Sequence, residues 1–161
     1  MAGYGSDDGF ATWASDNGYT VPSGTVATAR QRGSVYIDGA YDARFPGYPT
    51  GGVSQERAWP RTDAEDRYGN AIGINDIPDR VVQASYEAAL LELTTPGSLT
   101  TAIAPGKVRK RVKVEGAVEV EYAVNSVGRD AVMEQQVMST RIEGLLYPLL
   151  TVKNLPGALI V

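Results

Sequence analysis

The 161-residue chain contains no cysteine and no histidine. Without cysteine there is no disulfide framework, no thiolate metal ligand and no thiol nucleophile. Without histidine, the familiar triads in which an imidazole activates a serine or cysteine cannot be built. Phosphate-binding loops are missing as well: "GYGSDDG" is not a GxGxxG fingerprint, and "APGKV" has neither the upstream glycine nor the Ser or Thr of a P-loop. A pair of catalytic carboxylates would look no different from surface acids here. No catalytic residue, cofactor-binding residue or metal ligand is therefore assigned, and the expectation is a protein that is not an enzyme and needs no cofactor. No stretch approaches 18 consecutive apolar residues, and "MAGYGSDDGF" lacks the basic and apolar regions of a secretory signal. A soluble protein made in the cytoplasm, without a membrane partner, is expected. Positive charge is also short, with 15 Lys and Arg against 19 Asp and Glu. That balance argues against general affinity for phosphate backbones, which comes from basic residues displacing condensed counterions.

What remains is an ordinary globular composition, 43% hydrophobic and 21% charged, punctuated by 18 glycines and 9 prolines. "SDDGFATWASDNG" predicts a short helix capped by Ser6, with Asp7 and Asp8 near the positive end of the dipole and Gly18 past its end. Its aromatics, Phe10 and Trp13, fall at core spacing rather than forming a base-stacking platform. "PSGTVATARQRGSVYIDGAYDARF" predicts a longer helix starting at Pro22 or Ser23 and running to Arg44. Its interior glycines, Gly33 and Gly39, point to close contact with a neighbouring helix. The polar stretch 54–76 is expected to be a solvated loop that pins itself by burying Trp59. Its acids Asp63, Glu65, Asp66 and Asp76 do not follow the ligand spacing of a calcium loop. "NDIPDRVVQASYEAALLEL" predicts the clearest helix, with Asp76 as N-cap, Pro78 in the first turn, and Ile77, Val81, Ala84, Ala88 and Leu91 on its apolar face.

After the uncharged linker "TTPGSLTTAIAPG" the apolar period changes from 3.6 to 2. In "KVRKRVKVEGAVEVEY" five cations precede Glu115, Glu119 and Glu121, and the valines fall on even-numbered positions. This predicts a β-hairpin turning at residues 115–117, which sets Lys113 opposite Glu119 and Arg111 opposite Glu121. The basic strand is then largely neutralised by its own partner, each pair contributing about 0.2–1 kcal/mol. Residues 123–140 have no clear period. "RIEGLLYPLL" offers Ile142, Leu145, Leu146, Leu149 and Leu150 as a short amphipathic helix broken near Pro148, and the uncharged tail "LPGALIV" suits either its own core or a partner. The expected organisation is mainly α with some β: a helical bundle over residues 1–95, then a hairpin extension and C-terminal assembly arm over 96–161.

The order of "SVYIDGAYDARFPG", "SQERAWPRTDA" and "IPDRVVQASYEAALLEL" resembles the head-tail connector, or adaptor, proteins of tailed bacteriophages. The matching positions are Tyr36 and Asp38, then Gln55, Trp59, Pro60 and Arg61, then Pro78, Val81, Ala84 and Glu87, with Asp63 standing where that pattern has glycine. The resemblance covers residues 4 to about 93 and extends loosely through "VEVEYA" and "IEGLLYPLL". It implies a virion protein of the neck, a self-assembled ring, usually a dodecamer, that docks to the portal protein and meets a tail-side neck or tail-terminator protein. Genomic DNA would pass through its lumen without specific binding. Lys113, Glu119, Arg141, Ile142, Leu145, Leu146, Leu149 and Leu150 are the expected subunit or portal contacts, and Trp59 and Arg61 the loop anchors. Some relatives carry a label likening them to a primosomal single-stranded-DNA-binding protein, which is the alternative function.

Overall fold

Helix α1 (Asp7–Asp16) begins where Ser6 adopts an extended backbone and its hydroxyl accepts a bond from the Gly9 amide, satisfying one of the helix's orphan donors. It ends at Asn17 and at Gly18, whose φ of 72° lies in the left-handed region. Phe10 and Ala14 are buried beneath it. The computed structural model describes residues 2–100 and 140–151. The chain divides into two units, Met1–Leu99 with Ser139–Val161, and Thr100–Met138, and the description concerns the first. It is mainly helical with one small antiparallel strand pair. None of its helices is long and apolar enough to cross a membrane.

Helix α2 (Val26–Tyr41) and helix α3 (Asp79–Thr94) form the central packed pair. Gly33 explains how close they come. A Cβ placed there would lie 2.5 Å from the Ser85 carbonyl oxygen and 2.8 Å from the Ala89 nitrogen, so only hydrogen lets the backbones meet. Gly39 does not share this role, since a Cβ there would meet nothing within 4 Å. Two expected boundaries also move. Helix α2 starts after Thr25, and its last expected residues, Asp42–Arg44, tighten into a 3₁₀ turn. Helix α3 starts after Pro78 rather than at Asp76, because the fixed, extended backbone of Pro78 (φ −57°, ψ 137°) places it outside the helix. Ile77 and Leu91, assigned to the apolar face, are partly exposed. The buried stripe of α3 instead runs through Val81, Ala84, Ser85, Ala88, Ala89 and Glu92.

Residues 48–62 contain the strand pair, β1 (Tyr48–Pro49) and β2 (Arg61–Thr62), paired antiparallel with Tyr48 opposite Thr62. The hairpin expected at 107–122, with Lys113 and Glu119, lies outside the described residues.

Helix α4 (Thr140–Leu146) and the 3₁₀ turn Tyr147–Leu149 correct the expected division of the chain. Ile142 and Leu146 are fully buried, and Leu149 and Leu150 nearly so, in one cluster with Ile37, Tyr41, Phe45, Trp59, Val81, Ala84 and Ala88. Residues 140–151 are therefore core of the first unit and not an arm awaiting another subunit. A second cluster joins Phe10, Ala29, Tyr86, Ala89 and Leu90, with Trp13 and Tyr19 against it. There the Phe10 and Tyr86 rings meet edge to face at 5.6 Å.

Candidate functional site

Most of the residues that carry the sequence resemblance, among them Asp38, Gln55, Trp59, Val81 and Ala84, meet at the seat of the Trp59 loop. Trp59 is 1% exposed, and its ring meets Phe45 edge-on at 5.5 Å. Its backbone amide donates to the Tyr4 hydroxyl, and that hydroxyl donates to Asp38. Arg57 donates to the second oxygen of Asp38 at 3.2 Å and to the Ala2 carbonyl. Burial pushes the Asp38 carboxyl above its ordinary range, and the bonds from Tyr4 and Arg57 offset only part of that. Gln55 closes the loop from inside, its amide nitrogen donating to the Arg57 and Pro60 carbonyls and its oxygen accepting from the Gly51 amide.

Arg61 is the second anchor. Only 4% exposed, it donates to the carbonyls of Pro46, Gly47 and Ala58 at 2.7, 2.8 and 3.2 Å and to Asp42 at 2.7 Å. Such a fork suits a planar guanidinium and would not suit a lysine. Asp63, at the position where the connector pattern has glycine, has φ 52°, in the left-handed region glycine favours. The motif therefore specifies the loop's internal architecture, and its conspicuous side chains point into the fold.

Every cation of the described residues is likewise engaged. These hold eight arginines and no lysine against fourteen carboxylates, a formal charge of −6. Six of the eight are paired with carboxylates: Arg30 with Asp7, Arg32 with Glu92, Arg44 with Glu143, Arg57 with Asp38, Arg61 with Asp42 and Arg141 with Glu87. Arg30 is the most deeply committed, 7% exposed and also bonded to the Gly3, Tyr4 and Gly5 carbonyls, which ties the N-terminal segment across α2. Arg67 lies 4.0 Å over the Tyr147 ring, and Arg80 donates to the Leu145 carbonyl. No patch of unpaired arginines exists among the described residues.

A family model described as "Putative DnaT-like ssDNA binding protein" matches residues 3–159. The chain belongs to that family. No curated protein and no solved structure matches it. The family's description names single-stranded DNA, and nothing in these comparisons names a head-tail connector.

The expected contact residues scatter. Ile142, Leu146, Leu149 and Leu150 are buried, Leu145 is half-buried, and Arg141 is exposed but holds Glu87 at 3.6 Å. They position α4 and offer no free apolar face; an amphipathic pattern looks the same whether its apolar side meets the chain's own core or another chain. Lys113 and Glu119 lie outside the described residues. The acids of the 54–76 loop serve it in part: Asp66 accepts from the Tyr68 and Asn70 amides and the Asn70 side chain, which lowers its pKa. Sequence reasoning passed over Tyr4, Arg30, Arg57 and Tyr86. Arg30 had a signal, since Arg30, Ser34, Ile37 and Tyr41 follow one another at helical spacing and all are buried. Tyr4 and Arg57 sit in irregular segments, where no period marks them.

Glu87 and Glu92 sit within the buried stripe of α3. Burial pushes Glu87 up, Arg141 offsets part of this, and its Oε2 finds no hydrogen-bond partner among the described residues. Burial acts on Glu92 too, but bonds from the Gly97 amide and Arg32 outweigh it and leave its pKa lowered.

Proposed function

We propose that the chain is a structural adaptor of a tailed-phage virion, assembling as a ring at the neck, docking to the portal and meeting a tail-side component. The observation that supports this reading best is the use of the arginines. Six are neutralised by carboxylates and two are held by a ring or a carbonyl, so the described residues, with a formal charge of −6, hold no unengaged arginine for a DNA duplex. A lumen through which a genome slides benefits from that repulsion. The motif order resembling connector proteins is the second support, since Gln55, Trp59 and Arg61 build the loop seat.

Single-stranded-DNA binding is the second reading, and the family's description favours it. In this chain its electrostatic carrier would be residues 107–113, where five of the seven cations outside the described residues fall. Electron microscopy of virions with this protein labelled separates the two. Label at the head-tail joint, with DNA-filled but tailless heads when the gene is deleted, is the expected result. A protein absent from virions, whose loss stops DNA synthesis, would establish the second reading instead.

A further inference from the structure

The outer face of the Trp59 loop is apolar and acidic together. Tyr48 is 70% exposed, Val53 fully exposed and Ile74 52% exposed. Backbone geometry holds them in one region: β1 pairs with β2, the Thr50 amide donates to the Pro60 carbonyl at 3.1 Å, and the Thr50 hydroxyl donates to the Ile74 carbonyl at 2.9 Å. Around them Glu56, Asp63 and Asp76 are exposed and make no ion pair among the described residues. The loop's three arginines are otherwise engaged, Arg57 with Asp38 and the Ala2 carbonyl, Arg61 with four acceptors beneath the loop, and Arg67 with the Tyr147 ring. The stretch 48–76 thus exposes three carboxylates that make no ion pair among the described residues together with three large apolar side chains.

We propose that this face is a self-association surface whose occupant is residues 107–113 of a second copy of the chain. The two stretches are complementary in charge and alike in apolar content. The segment "KVRKRVK" is the chain's densest cluster of positive charge, and it interleaves valines with its cations as the loop face interleaves apolar groups with acids. The pairing expected from the sequence assigns acids to Arg111 and Lys113 and names none for Lys107, Arg109 and Lys110. A contact between two different patches is heterologous, and repeated around an axis it closes a ring or runs on as a filament. The inference rests on the self-assembly in the proposed function and supplies a surface for it.

The test uses the full chain as an equal mixture of ¹⁵N-labelled and unlabelled protein, joined by a zero-length carbodiimide cross-linker and read by mass spectrometry, with sedimentation reporting the assembly state. The expected links join Lys107 or Lys110 to Glu56, Asp63 or Asp76 and occur in mixed-isotope pairs. Tyr48→Ser with Val53→Ser, both at exposed positions, should weaken association about tenfold or more with unchanged melting. Asp63→Lys should weaken it too, and Lys110→Glu should restore that variant. Assembly with links at other carboxylates, or links only within one chain, overturns this surface and leaves self-assembly standing. A chain that stays monomeric at every concentration and salt overturns the surface and the ring together.

Discussion

Trp59 shows at the level of one side chain what the Gln55–Arg61 stretch does. It is the largest fully buried residue, and its amide, its ring and its neighbour Arg61 each have fixed partners. Trp59→Ala should cost about 3–5 kcal/mol, and a melt unchanged by it would contradict the loop seat described above. Glu87 gives a prediction of the opposite character. Because burial raises its folded-state pKa above the ordinary 4.5, the folded chain holds this proton more tightly than the unfolded one. Its contribution to stability is thus fully present below 4.5 and is lost as pH rises through the folded value. Glu87→Gln keeps the neutral shape at every pH. Urea midpoints across a pH series should show the variant gaining on the parent as pH rises from 4.5 towards neutrality. A parent that gains on the variant over that range would mean that the Arg141 pair outweighs burial.

At the scale of elements, the two glycines of α2 should respond in opposite directions. Gly33→Ala drives a methyl group into the backbone of α3 at 2.5 Å, and overpacking of this kind costs about 1–3 kcal/mol. Gly39→Ala meets open space and should stabilise by about 0.5–1 kcal/mol through reduced backbone entropy. Denaturant melts of the two variants measure both, and a common sign would show that the α2–α3 contact is misplaced. The sequence foretold close helix contact but could not say which glycine made it, because the two differ only in the direction they face. Helices α1 to α3 and the burial of Trp59 were legible because caps and a 3.6 period are local signals. The starts of α2 and α3 slipped by a few residues, from Pro22 or Ser23 to Val26 and from Asp76 to Asp79, where Ser, Asp and Pro offered several plausible caps. The strand pair was invisible, since two-residue strands have no period, and the clamps on Arg57 and Arg61 join residues 15 or more apart in sequence.

For the whole molecule, the main revision concerns residues 140–151, which look like an arm in the sequence and are core in the fold. A chain ending at Leu99 loses Ile142, Leu146, Leu149 and Leu150 from the main cluster. At about 2–5 kcal/mol for each such side chain, the loss matches or exceeds the typical stability of a domain. Circular dichroism should show no cooperative melt for that truncation; a cooperative helical fragment would return α4 to the role of an arm. The arginine pairing has the same long reach, because the commitment of the described arginines becomes visible only once distant acids are brought to them. The proposed adaptor function requires weak affinity for nucleic acid, and a salt titration of single-stranded-DNA binding by the full chain tests that most directly. The account predicts dissociation constants no tighter than the non-specific range of about 10⁻⁴–10⁻⁶ M at physiological salt. Submicromolar binding that falls steeply with salt, at about 0.7 log units per phosphate neutralised for each tenfold rise in concentration, would contradict it and make the chain the DNA-binding protein its family's description names.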